Sequence, residues 1–427
     1  MSLFQLKEMM MPLQISSNYF DDKVIEQKIS ALPLNFFEIS AINYAVMHID
    51  YQICQTHLWS KLNQSSSEES ISVNSEQELI DLINRVILIS ESQQIIYRDY
   101  LQAPQEAARC ARDRDLLSHM LLQLTEKRIQ PYPSPNNLPY QSKWLRDKTR
   151  DLNPIRLIFV RGWRFFMLMM MAWGPAALKD SINTMDMNLA PIIAHQAWIF
   201  FAPRLLVNVF IILKHTFFPK GKEAELLLLT RLAVQFDRRW SELANDFLWL
   251  TTGLLTGFVL ARNWFAYCTC VLQCCQLLCA IIRAVTDIHR ITVIRHYYEQ
   301  KTQLSMQNDQ SYSVYKGYTT CIDQYMRYIM FARMIDILEK ALLVLGSVLL
   351  LPPLAFAYWI PIVGAGIMIT VTLFPLFVVP YVERMNPIKT VDQCTKCSFF
   401  KFAEHHGVIN IPNDHATECL SNAGLKA

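Results

Sequence analysis

Charge and glycine are what this chain has least of. Only 18% of its residues are charged and 52% are hydrophobic, whereas an ordinary soluble domain carries about 25% charge. That deficit excludes a uniformly solvated globule, and it is unevenly spread. Residues 1–150 mix both signs, while long stretches between 165 and 380 have almost no charge. Eleven glycines in 427 residues are too few for a turn-laden β architecture, and the frequent Leu, Ile, Met, Gln and Ala favour helices. A net charge of +3 lacks the basic footprint of a nucleic-acid binder, so no nucleic acid is expected as a partner. The start, Met1 to Pro12, has neither a basic n-region nor a sustained apolar h-region, so no cleavable signal peptide is expected. Signatures for a P-loop, a dinucleotide fold, a zinc protease or a serine hydrolase are missing as well. No catalytic residue is therefore assigned, and an enzyme is not expected.

What is present is helical periodicity. Apolar residues from Ile15 through Leu34, Phe37, Ile42, Val46 and Ile53 recur at helical spacing. A serine-rich loop is predicted over 64–75. Ser75 and Glu78 have the capping-box spacing, and Leu79, Leu82, Ile83, Val86, Ile89 and Ile96 mark the buried face of the helix they open. A further helix is predicted from Pro104 to about Lys127. Residues 1–130 thus read as a soluble helical domain. Pro131, Pro133, Pro135 and Pro139 forbid a continuous helix, so residues 131–154 form a proline-rich, then basic, linker. Arg156, Arg161 and Arg164 continue that basic approach.

Residues 155–382 read as a membrane domain of about six hydrophobic segments. Leu189–Leu213 carries one charge, Arg204; Phe247–Ile282 carries one, Arg262; Ala341–Val382 carries none. About 20 residues cross the hydrocarbon core, so the last two runs are each long enough for two passes. The first is expected to turn at Arg262-Asn263. The second is expected to divide near Pro361, with kinks at Pro352, Pro353 and Pro375. Three hairpins, 155–213, 247–282 and 341–380, leave both termini and the segments 214–246 and 283–340 on one side. Those segments hold six and eight basic residues, while the opposite turns hold almost none. Basic residues concentrate in cytoplasmic loops, so both termini are expected in the cytosol. Residues 283–340 are expected to project as an antiparallel helical stalk about 30 Å long. The fold class is all-α: a polytopic helical membrane protein with a soluble N-terminal domain and a cytosolic helical hairpin.

Four motifs could carry chemistry. In the tail, residues 383–427, Cys394 and Cys397 form C-x2-C, and His415 and Cys419 form H-x3-C. Two turns that each present two such donors suit tetrahedral zinc; the alternative is a reduced tail without metal. Cys268, Cys270, Cys274, Cys275 and Cys279 crowd one apolar stretch, where Cys serves as a small hydrophobe or a soft-metal ligand. Gly253 and Gly257 have GxxxG spacing for close helix contact or self-association, so a homo-oligomer is possible in principle. His195, Arg204 and Asn208 lie inside an apolar run, where ionisable groups are functional candidates by default. Arg204 has no acidic partner in its own run, which argues against a proton relay, and the plainer expectation is interfacial placement with Arg204 snorkelling.

The stretch from Arg238-Arg-Trp-Ser-Glu-Leu-Ala-Asn-Asp-Phe-Leu-Trp-Leu250 to Leu260 resembles uncharacterised multi-spanning membrane proteins of Legionella-type intracellular bacteria. The resemblance implies a bacterial inner-membrane protein or a secreted effector lodged in a host membrane. The expected function is a non-enzymatic anchor that recruits a cytosolic protein partner to the lipid bilayer, with membrane-shaping hairpins as a variant. The alternative is a transporter or channel for a small solute or metal ion. If the tail binds zinc, the purified full-length chain should carry about one equivalent by elemental analysis, and Cys397→Ser should remove it. Equal metal content in both proteins would dismiss the site.

Overall fold

A computed structural model describes residue 29 and residues 32–65, 73–126, 144–260, 264–306 and 309–388. It is all-helical, with no strand among the described residues. Four helices come first: α1 (Leu34–Ile42), α2 (Tyr44–Ser65), α3 (Val73–Ile95, extended by a π-turn at Ile96–Tyr100) and α4 (Pro104–Glu126). Six longer ones follow: α5 (Trp144–Trp173), α6 (Ala176–Phe217), α7 (Leu228–Leu254, ending in a π-turn at Leu255–Val259), α8 (Phe265–Leu304), α9 (Asp309–Leu349) and α10 (Trp359–Arg384). Three segments are long and apolar enough to cross a membrane: Trp198–Phe217 within α6, α8, and α10.

The helix boundaries follow backbone chemistry. α4 opens on Pro104, at a position that needs no amide hydrogen. α3 starts at Val73, ahead of the Ser75 start expected from the capping box, and Glu78 instead pairs with Lys61 at 3.0 Å. α5 and α6 are separated by Gly174-Pro175. The uncharged run at 341–382 breaks at Leu350–Tyr358, with a 3₁₀ turn at Pro352–Leu354, and not at Pro361 as expected. Pro352 and Pro353 together would remove two interior hydrogen bonds, whereas Pro361 falls in the first turn of α10, where its missing donor costs nothing. Pro375 and Pro380 are accommodated inside α10.

Consecutive long helices pack as antiparallel neighbours. Arg204 meets Asp246 and Phe201 meets Trp249 across α6 and α7. Arg333 meets Asp287, and Arg295 meets Asp323, across α8 and α9. Between α9 and α10 the backbones nearly touch. A Cβ on Gly346 would lie 2.9 Å from the Gly364 carbonyl oxygen, and one on Gly364 would lie 2.8 Å from the Gly346 carbonyl oxygen. The close approach of helices therefore occurs at this pair; Gly253, from the GxxxG spacing, is buried on α7.

The N-terminal helices do not close a core by themselves. One continuous cluster joins Phe36, Leu58, Ile83, Ile95 and Leu117 to Ile291, Ile294 and Tyr298 of α8 and to Tyr318 and Ile322 of α9. Burying a large apolar side chain contributes about 1.5–3 kcal/mol, so these shared contacts bind α2–α4 to the ends of α8 and α9 as one head. Some of the polar groups inside it are paired, while others, the Ser40 hydroxyl and the Gln93 amide among them, are buried with no hydrogen-bond partner. Tyr298 donates to Asp50 at 2.9 Å. Tyr51 and Gln55 both donate to Asp113, each at 3.2 Å. Ser90 donates to the Cys110 carbonyl at 2.8 Å. The His57 ring lies 4.4 Å from that of Tyr318 and directly over Gly317, where any Cβ would collide with the imidazole. The head also grips α7: Thr230 donates to Glu38 at 3.0 Å and Arg238 to the Leu101 carbonyl at 2.9 Å.

Burial holds His48 and His57 neutral, lowering each from 6.5 to about 4, with Arg109 adding to the effect at His48 and Lys61 at His57. Burial raises the Asp113 carboxyl, which acts in the opposite sense. A histidine with a depressed folded pKa stabilises the fold fully above 6.5, and the contribution is lost as pH falls toward 4 because the unfolded chain binds the proton first. His57→Phe keeps a ring against Tyr318 and removes one such site. The stability difference between wild type and variant should therefore shift against wild type by roughly 1.4 kcal/mol per pH unit in that window. Thermal melts from pH 7 to 4 read it directly, and parallel curves would refute a buried neutral His57.

Candidate functional site

Polarity in the bundle is turned inside out. Along α5, Leu152, Ile155, Phe159, Phe166 and Trp173 are exposed, Ile155 at 64%. They recur at three, four and seven residues, so they form one outward stripe. Arg161 on the same helix is buried at 8%. Its guanidinium donates to the Thr372 hydroxyl of α10, and Thr372 in turn donates to the Met368 carbonyl of its own helix. Arg156 lies over the rings of Phe201 at 5.2 Å and Trp249 at 5.0 Å, a cation–π arrangement that offsets part of its desolvation. It also donates to the Asn153 side chain at 3.1 Å.

A cavity of about 580 Å³ opens among α5, α6, α7, α8 and α10. Arg156, Arg161 and Arg164 all line it, with Asp186 the one acidic group on its wall among the described residues. Asp186 accepts a hydrogen bond from the Trp163 indole at 3.3 Å and acts electrostatically on Arg164. From α8, Gln273 closes the opposite wall. It is 1% exposed, and neither of its amide atoms has a hydrogen-bond partner. Thr252, Thr256 and Thr269 add hydroxyls, although Thr256 and Thr269 donate to carbonyls of their own helices. The lining combines three guanidinium groups from α5, the Gln273 amide from α8, and apolar groups that include Met167, Met171 and Met368. Such a chamber has the volume of a small-molecule site.

Beside this chamber, the ionisable groups of the apolar run are placed differently from the expectation. Arg204 does not snorkel. It pairs with Asp246 of α7 at 3.2 Å, with side chains 10% and 0% exposed, and its guanidinium lies 5.8 Å from the Phe201 ring. The acidic partner comes from the neighbouring helix, which inspection of one hydrophobic run cannot reveal. Asn208, one turn beyond Arg204, is 1% exposed, and neither side-chain polar atom is hydrogen bonded. His195 stacks on Phe258 with ring centres 5.0 Å apart. These three residues lie along α6 and do not line the cavity. The five cysteines of α8 are free, and no group of three or more metal-ligating side chains is found among the described residues. Cys394, Cys397, His415 and Cys419 lie outside the described residues.

The cavity arginines were legible only as a basic approach to the membrane. Helical phase places Arg161 and Arg164 on the face of α5 opposite Ile155 and Phe159, with Arg156 flanking the exposed stripe, and that phase is the signal the sequence offers. No protein-family model matches this chain, and no curated protein or solved structure is similar to it.

Removing one partner of a buried ion pair typically costs about 3–5 kcal/mol, whereas exchanging both for apolar groups is often near neutral. Asp246→Asn should therefore lower thermal stability in detergent by more than the double variant Arg204→Met with Asp246→Leu. A single variant that melts no lower than the double would show that the pair is not isolated from solvent.

Proposed function

We propose that this chain is a multi-pass helical membrane protein acting as a non-enzymatic anchor, with its helical head as a platform for a cytosolic partner. The observation that carries this reading is the distribution of exposed large apolar side chains. Among the described residues there are none between Tyr44 and Glu126, yet they recur from Leu152 to Met385. In water, such a surface on the bundle would be an aggregation hazard; in lipid it is the expected exterior. The bundle's buried Arg161 and the Arg204–Asp246 pair fit the same medium, because charged groups in a membrane face the protein interior and find partners there.

The basic segments 214–246 and 283–340 put the head, both large connections and both termini on the cytosolic side under the charge rule. The membrane is a bacterial inner membrane or, for a secreted protein, a host membrane, following the resemblance of residues 238–260. Head and bundle are joined through α8, α9 and the α7 contacts, so a partner held by the head is tied to the membrane through continuous helices.

A second reading, transport or conduction of a small solute, is favoured by the basic cavity. Solute flux in proteoliposomes separates the two, since an anchor produces none.

The chain should remain in the membrane pellet after alkaline carbonate washing and require detergent to stay monodisperse. Reporter fusions at residues 310 and 420 should report the same side, and a fusion at 183 the other. A chain that is soluble without detergent would end the membrane reading; opposite sides for 310 and 420 would end the three-hairpin topology.

A further inference from the structure

The cavity in the bundle has an unbalanced charge, and this points to an occupant. Three guanidinium groups line it against one carboxylate. Among the described residues, none of the three makes an ion pair with an acidic side chain. Arg161 has a hydroxyl, and Arg156 has an amide oxygen and aromatic faces; Asp186, which accepts from Trp163, acts through space on Arg164 and offsets part of one of the three positive charges. Glu339 acts on Arg161 through space but does not line the cavity and is held by Lys340 at 2.6 Å. Uncompensated positive charge in a lipid-surrounded interior is costly, and an anion relieves that cost.

Gln273 supplies an independent observation. Among the described residues three amides, Gln93, Asn208 and Gln273, are buried with both polar atoms unsatisfied, a state rare in folded proteins, and of these Gln273 is the one in the cavity wall. Its NH₂ adds a neutral donor facing a chamber of cationic donors. Guanidinium groups recognise planar or tetrahedral oxyanions through paired N–H donors. The rest of the wall, including Met167, Leu168, Met171 and Met368, is apolar and offers nothing to a fully hydrated ion. Guanidinium and amide donors together with thioethers and branched carbon in one lining describe a site for a molecule of the same mixed character.

We propose that this cavity binds an amphiphilic oxyanion: a phosphate or carboxylate group carried on an apolar chain, held by Arg156, Arg161, Arg164 and Gln273. The assignment rests on the membrane reading above. The source is either an anionic lipid of the bilayer or a soluble organic anion with a short apolar tail. A neutral or zwitterionic lipid filling the same space is the competing outcome.

The test uses the full-length chain in non-ionic detergent. Short-chain phosphatidylglycerol, phosphatidylcholine of the same chain length, hexyl phosphate and inorganic phosphate are each titrated by calorimetry, with stoichiometry counted by native mass spectrometry. Phosphatidylglycerol should bind at one per chain and at least tenfold more tightly than phosphatidylcholine. Hexyl phosphate that binds as tightly as phosphatidylglycerol assigns a soluble source; markedly weaker binding assigns the lipid. Both outcomes support the oxyanion site. Arg164→Gln and Gln273→Leu should each weaken binding tenfold or more. Gln273→Leu removes no charge and fills the same volume, so it guards against simple misfolding, and Arg327→Gln on the exposed face of α9 should change nothing. Equal binding of the two lipids, binding of inorganic phosphate alone, or phosphatidylglycerol binding unaltered by both cavity variants would overturn the proposal. A chain that resists carbonate extraction yet shows any of these results loses the ligand and keeps the membrane; one released by carbonate loses both.

Discussion

The Arg204–Asp246 pair expresses the constraint that organises the second half of this molecule. A guanidinium group stays charged at any physiological pH, so a helix that carries one into an apolar environment must present it to another helix. α6 does this by facing α7, and α5 does it by turning Arg156 and Arg161 inward to aromatic rings and to Thr372. Once those faces are committed, the remaining faces are apolar and point outward. The order of helices around the bundle, the exposed stripe on α5 and the chamber between the helices all follow from where the arginines are allowed to be.

The head obeys the ordinary rule for proteins in water. Its large apolar side chains are inside, and the buried Asp50, Ser90 and Asp113 are hydrogen bonded. The two regimes meet along α8 and α9. Both contribute tyrosines to the head core at one end; at the other, α9 joins a second apolar cluster with α10 and α8 buries Ala266, Leu272 and Ala280. Between these ends lies a band of ion pairs, Asp237 with Arg290 and Asp287 with Arg333. Charged pairs of this kind are tolerated where water is close and the dielectric is high, and on the proposed membrane reading the band would mark the edge of the bilayer.

How much of this was legible in the sequence depended on whether a signal was local. The all-helical class, the apolar character of α8 and α10, and the inward face of α3 were readable because periodicity and run length are properties of neighbouring residues. The break at Pro352-Pro353 was misplaced to Pro361 because proline identity was weighed without its position in the helix. The Gly346–Gly364 contact was missed because its two glycines lie on different helices, and GxxxG spacing finds only pairs on one. Arg204 looked unpartnered for the same reason. The cavity was hidden by averaging: counting charges along α5 gives a basic segment, while resolving the same residues by helical phase gives a greasy outside and a cationic inside.

α8 and α9 are 40 and 41 residues long, about 60 Å each at 1.5 Å per residue. Neither is interrupted between the bundle and the head. The two lie antiparallel and are cross-linked by ions, so they behave mechanically as a lever. A tilt of only about 5° at the foot would carry the far end through roughly 5 Å, given that length. Small changes in bilayer thickness or in the packing around α10 would thus be magnified into displacements as large as a helix radius at the tip.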